Sequence, residues 1–383
     1  MAGKRSIFEE VSEGSTAPVP QGGMIEGRGH GARRWIRVWL MLLFALVALM
    51  ILVGGATRLT DSGLSITEWR PVTGALPPMD EGHWAEEFAK YQASPQFQIQ
   101  NSTMTLEGFK AIYWWEWGHR QLGRLIGLVW AVGFFGFLAA RRIPTGWTQR
   151  LLLIGVLGGA QGAIGWWMVS SGLEEGQVTV ASYRLAVHLG LAFVILGFIT
   201  WYVLLLGRPE RDLLQARRGR EDKLFRMSTG LMHFAFLQVL LGALVAGIDA
   251  GRAFPTWPDM NGQFFPADAF YVPGRPVWAA FFENAGLVQF IHRIAGYLLF
   301  IFGIVVWLRG RRSAYRATRA AFNMVMGMFV VQLALGIATV LTAAALHPAL
   351  THQAGAILLW VLILRARYLA LYPIQGSIRE GTQ

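Results

Sequence analysis

Glu116 and His119 stand three residues apart in Trp114-Trp115-Glu116-Trp117-Gly118-His119-Arg120, so on a helix a carboxylate and an imidazole share one face. The segment Gln289-Phe290-Ile291-His292-Arg293 repeats the pattern with an amide in place of the acid. A carboxylate beside a bound group can assist proton transfer or stabilise developing positive charge. Two matched histidines with a single acid between them read as two similar metal sites, of which one does chemistry. His188 and His352 open two further apolar runs. Imidazoles that approach from opposite sides suit six-coordinate haem iron, whereas structural zinc wants four ligands. The chain has no cysteine, so no thiolate takes part and no disulfide staples a loop.

One histidine at a helix end is usually a structural one, but four at matched positions call for a shared function. The other histidines read differently. His30 and His83 are expected in solvent, and His233 has no counterpart. His347, before Pro348 in the short last outer loop, competes with His352, which matches His188 better. Arg120 and Arg293 follow their histidines and point about 100° away around the helix. Pairing with anionic propionates and snorkelling to the interface both account for them.

The elements that position these residues are membrane helices. Hydrophobic residues are 54% of the chain and charged residues 15%, which no soluble globular composition matches. Apolar runs of spanning length lie at 36–57, 119–140, 149–171, 183–206, 228–248, 288–308, 319–342 and 352–371. The predicted fold class is therefore an all-α integral membrane protein of eight helices. The net charge of +11 is not a nucleic-acid signal, because the arginines gather in every second connection, around 141–150, 208–226 and 309–319. Alternate loops carry the acids, so both termini are expected in the cytoplasm. Most of the sixteen tryptophans sit near run ends, where interfacial anchoring explains them.

The chain also repeats itself. Asp61-x-Gly63 with Trp69 matches Asp249-x-Gly251 with Trp257, and His119-Arg120 matches His292-Arg293. Gln161-x-Ala163-x-Gly165 matches Gln332-x-Ala334-x-Gly336, and His188 matches His352. The offsets are 188, 173, 171 and 164, in one order along the chain. This predicts two tandem, parallel four-helix bundles, whose cores are where facing side chains hold cofactors. The divisions are a flexible cytoplasmic tail 1–35, a first half 36–206 with a long outer loop 61–118, and a basic linker 207–227. A second half 228–371 and a tail 372–383 follow. The glycines of the third run (155, 158, 159, 162 and 165) are expected to let helices approach closely. The Glu116/Gln289 difference places substrate in the first half and a fixed electron-transfer cofactor in the second.

At these residues the chain resembles the haem A synthase family, across residues 35–372. Gly54-Gly55-Ala56-Thr57-Arg58-Leu59-Thr60-Asp61-Ser62-Gly63-Leu64-Ser65 is similar to that family's first-loop signature, and Glu116-x-x-His119 to its Glu-x-x-His motif. The resemblance implies oxidation of the position-eight methyl of haem O to a formyl group, by successive oxygen-dependent hydroxylations and loss of water. It implies haem O iron on His119 and His188, and haem b iron on His292 and His352. It also implies a bacterial inner-membrane location and a complex with the haem O synthase. The electron donor, an assembly of several copies and the departure of an iron ligand during turnover stay open; the missing cysteines remove the thiol relay proposed in some relatives. A di-haem b-type quinol oxidoreductase fits the histidines alone. A transporter fits less well, for lack of an unwound, charge-bearing helix pair.

Overall fold

The computed structural model describes residues 25–374, with side chains from residue 31. The helices, in chain order, are α1 (Ile25–Leu59), α2 (Glu81–Gln92), α3 (Pro95–Ile99), α4 (Leu106–Ala139) and α5 (Thr148–Gly172). They continue as α6 (Ser182–Leu206), α7 (Glu210–Arg218), α8 (Asp222–Gly247), α9 (Ala250–Ala253) and α10 (Ala280–Glu283), then α11 (Ala285–Gly310), α12 (Arg316–Leu341) and α13 (Leu346–Leu371). Eight of these, α1, α4, α5, α6, α8, α11, α12 and α13, are long and apolar enough to cross a membrane. Helices suit that setting because each satisfies its own backbone polar groups. Side chains cap several of the starts. Thr105 accepts from the Gly108 N–H at 3.3 Å and Asn284 from the Leu287 N–H at 2.8 Å, which fixes where α4 and α11 begin.

Several limits differ from those read off apolar runs. Helix α1 reaches back to Ile25, so part of the segment expected as a loose tail is helical, while 1–24 and 375–383 lie outside the described residues. Helix α4 begins at Leu106, not near 119. Its added turns carry Phe109 and Tyr113, buried with Tyr91 of α2 under Trp84, Phe88 and Phe97. That aromatic cluster makes residues 81–118 a small folded cap rather than a loop. Glu116 consequently lies well inside a helix. Helix α13 begins at Leu346, so His347 stands in its first turn rather than in a loop, and is exposed.

In the first half α1 packs on α4 and α6, and α5 on the same two helices. In the second half α8 packs on α11 and α13, and α12 on those two. The halves meet along α6 against α8 and α13, and along α1 against α13. Helices α6 and α13 are the most enclosed spans, and α4 and α5 the most open. The shared core holds Leu196, Ile199, Leu231 and Ile363. There the Trp360 ring lies 6.2 Å from Phe193 and 6.0 Å from Phe236. Without a hydrophobic drive between helices in lipid, such packing and close approach hold a bundle together. At the cap end, Arg58 joins the halves. It reaches Asp61 at 2.9 Å and Asp249 at 2.5 Å, and both aspartates have a φ of 52°.

Candidate functional site

Each of the four sequence-predicted histidines lies on one span and against a glycine of a neighbouring span. His119 (α4) faces Gly54 of α1, and His188 (α6) faces Gly165 of α5. His292 (α11) faces Gly242 of α8, and His352 (α13) faces Gly336 of α12. A methyl group placed on any of these glycines would come 2.9–3.3 Å from the imidazole. Glycine is what leaves room for the ring between the two helices. His119 on α4 and His188 on α6 stand on two helices that both pack on α1 and α5, and His292 on α11 and His352 on α13 on two that both pack on α8 and α12. The structure thus brings the four together as two pairs. None of the four stands at a helix end: His188, His292 and His352 are about two turns inside their helices, roughly 9–10 Å from the helix starts at the rise of an α-helix, and His119 is deeper still in α4.

Three of the rings share a polar partner. The side-chain amide of Gln161 donates to the His188 carbonyl at 3.0 Å and lies 3.2 Å from its Nδ1. Gln332 meets the His352 carbonyl at 2.8 Å and Nδ1 at 3.1 Å. Gln238 meets the His292 carbonyl at 2.9 Å and Nδ1 at 3.1 Å. All three amide oxygens are buried without a hydrogen-bond partner. An imidazole that holds a metal through Nε2 carries its proton on Nδ1 and needs an acceptor there. A glutamine amide turned about its Cγ–Cδ bond supplies that acceptor at the cost of its bond to the histidine carbonyl, so the orphaned oxygens are compatible with metal-bound histidines. Gln161 and Gln332 appeared in the sequence as repeat markers without a role. Gln238 went unnoticed; the signal was an amide inside the apolar run of α8.

Glu116 is buried with 2% exposure. One carboxylate oxygen accepts from the Ser65 hydroxyl at 2.8 Å and the Ile66 N–H at 2.7 Å. The other takes two bonds from Arg120, at 2.6 and 3.1 Å. Arg120 also donates to the carbonyls of Ile66 at 2.7 Å and Glu68 at 2.9 Å. The carboxylate therefore ties α4 to the segment leaving α1. In the second half Gln289 is equally buried, and its amide donates to the Phe254 carbonyl at 3.3 Å. Arg293 donates to Phe254 at 2.9 Å, to Asp259 at 2.9 Å and to Gln289 at 3.3 Å. Both arginines are engaged with loop carbonyls, an arrangement the sequence did not foresee.

The remaining residues behave less uniformly. His233 is exposed and its ring lies 2.9 Å from the Thr229 carbonyl. His83 is exposed beside Asp80, as expected; the side chain of His30 lies outside the described residues. Of the α5 glycines, Gly155 lies under Trp130 and Gly165 under His188, as close packing requires. Gly158, Gly159 and Gly162 face open space, so for these three the close-packing expectation fails. Their matches on α12, by the offset of 171, are Phe329, Val330 and Leu333.

Against this arrangement, a family model of cytochrome oxidase assembly proteins matches residues 37–364. The chain belongs to that family. The match runs from the start of α1's apolar part into α13 beyond His352, so all four histidines lie within it. Relatives called "Heme A synthase" are similar to this family member from end to end. One from Cereibacter sphaeroides is 65% identical, with 99% of each chain covered. One from Ruegeria pomeroyi is 63% identical, over 99% of this chain and 100% of its own. One from Paracoccus denitrificans is 61% identical, over 98% of each. The electron-carrier alternative gains no support from these relatives.

Proposed function

We propose that this cytochrome oxidase assembly protein is a haem A synthase, a membrane oxidoreductase that converts haem O to haem A. The observation that carries the proposal is that each half sets two histidines on opposite helices of one four-helix unit, each ring against a glycine of a neighbouring span. Paired imidazoles are ligands for porphyrin iron, and the relatives named for this reaction match along the whole chain. The first pair holds the substrate, haem O, and the second pair holds haem b, which supplies one-electron transfer. Each half is a four-helix unit built around its own pair.

The substrate's position-eight methyl is oxidised in two hydroxylations, and the resulting geminal diol loses water to leave the formyl group. In each hydroxylation one oxygen atom of molecular oxygen enters the C–H bond. The other is reduced to water by two electrons and two protons from a membrane reductant. Glu116 is the carboxylate of the substrate half, and its fixed negative charge favours positive charge that develops at the methyl carbon. With both oxygens engaged by Ser65, Ile66 and Arg120, it acts from place; direct proton transfer would first have to break the Ser65 bond. Arg120 and Arg293 bind the loops over each site, and propionate pairing would exchange some of those loop bonds. The cap end, with 61–105 and 248–284, faces away from the cytoplasm of a bacterial inner membrane, and both termini lie inside. The haem O synthase is the partner that delivers substrate.

The test supplies haem O, oxygen and a reductant to the purified chain in detergent and identifies the porphyrin products by chromatography and mass. Haem A, preceded by the hydroxymethyl form, supports the reading. Haem O recovered unchanged, with electrons passed through the protein, would overturn it.

A further inference from the structure

Three of the four histidines are held by a glutamine, and His119 is not. The offset of 188 that relates α1 to α8 places Met50 where Gln238 stands. The two side chains occupy matching places. Gln238 lies 3.2 Å from a methyl group built on Gly296, and Met50 lies 3.4 Å from one built on Gly123. Gly123 and Gly296 each follow the His-Arg pair by three residues. A thioether cannot donate to a carbonyl and is a weak acceptor, so Met50 gives the imidazole no anchor. Among the described residues no hydrogen bond reaches the His119 ring.

The ring pose differs accordingly. His188, His292 and His352 turn their Cε1 edge to the facing glycine, with Nδ1 next nearest. His119 alone of the four turns Nε2, its metal-binding atom, toward its glycine, Gly54. Three rings are thus fixed in one orientation, and the fourth has turned. Groups that bond the far nitrogen of a ligand histidine orient the ring and raise its basicity; their loss costs about 10–100-fold in metal affinity.

We propose that His119 is the exchangeable iron ligand of the substrate half, made so by Met50 in the place of Gln238. This rests on the reading of both pairs as haem ligands. Departure of the α4 imidazole opens one coordination position of the substrate porphyrin to a small neutral ligand. His188, held by Gln161, keeps the porphyrin in place. The second half, with both imidazoles clamped, keeps its iron closed.

The probe is carbon monoxide, titrated into the reduced chain loaded with haem O and haem b and followed by absorbance. In the unsubstituted chain one of the two haems binds carbon monoxide. Met50→Gln lowers that affinity about tenfold or more at unchanged haem content, and Gln238→Met opens the second haem to the same ligand. Two haems of equal carbon monoxide affinity in the unsubstituted chain would overturn the proposal, as would unaltered binding in Met50→Gln. If Met50→Gln does not retain haem, Gln238→Met decides: no gain of binding at the second haem is the overturning result. Haem content that stays intact in both His119→Ala and His188→Ala would instead overturn the underlying ligand assignment.

Discussion

Arg120 and Arg293 do the same job in the two halves with opposite chemistry beneath them. Arg120 sits on a buried carboxylate that also collects the Ser65 hydroxyl and the Ile66 N–H. Arg293 sits on a buried amide that must donate as well as accept, and the Phe254 carbonyl accepts its N–H. The offset of 188 relates Ser65 to Ala253 and Ile66 to Phe254, so the loop has diverged together with the side chain it meets. The first half therefore keeps a carboxylate beside the proposed porphyrin site, and the second keeps the geometry with an amide in its place. That charge, the open face of α5 at Gly158, Gly159 and Gly162, and Met50 all fall on one side of the comparison. On the proposed reading they suit a site that accepts and reacts with its porphyrin, next to a site that holds one.

Removing the arginines should separate the halves most clearly. Arg120→Ala leaves a buried carboxylate without its counter-ion, a loss of about 3–5 kcal/mol. Arg293→Ala leaves a neutral amide short of one donor, which costs about 1–3 kcal/mol. Thermal unfolding in detergent should show the larger drop for Arg120→Ala, and equal drops would remove the asymmetry. Next in size is the exchange of the acid. Glu116→Gln is expected to keep both haems and to lower formyl product about 100-fold, within the range for a lost electrostatic or acid–base group. Gln289→Glu is expected to change product formation by less than tenfold. Product assays with haem quantitation check both, and full activity in Glu116→Gln would end the catalytic role given to it.

Smaller effects test how the halves are joined. Arg58→Ala removes the contact to both Asp61 and Asp249. These carboxylates are part-exposed, so the expected loss is only about 1 kcal/mol, seen as a slightly lower unfolding temperature with unchanged haem content. Gly55→Ala would push the Gln353 side chain off α1 and break its 2.9 Å bond to the Ile51 carbonyl. A comparable small shift is expected, and a loss of haem b would show that this bond also sets the His352 position.

Much of this was legible in the sequence because the membrane enforces simple rules. Span length, the basic connections and the matched histidines all survive in one dimension, and so does the Glu116/Gln289 difference. What escaped is set by contacts distant in the chain. The apolar-run criterion finds the part of α4 that meets lipid, and misses the turns from Leu106 that meet Tyr91 and Trp84 instead. The roles of Gln161 and Gln332 depend on histidines 27 and 20 residues away on another helix. Met50 looks like any apolar residue until it is set beside Gln238. Glu116 was readable as a lone acid near a histidine, but its four hydrogen bonds depend on where the first loop folds back.

The most direct test of the division between the halves is the identity of the haems retained when one pair is broken. Chains carrying His188→Ala or His352→Ala would be expressed with a supply of haem O, purified, and their haems extracted and separated. His188→Ala should keep haem b and lose haem O with its oxidation products, and His352→Ala should do the reverse. Loss of the same haem from both variants, or the opposite assignment, would contradict that division.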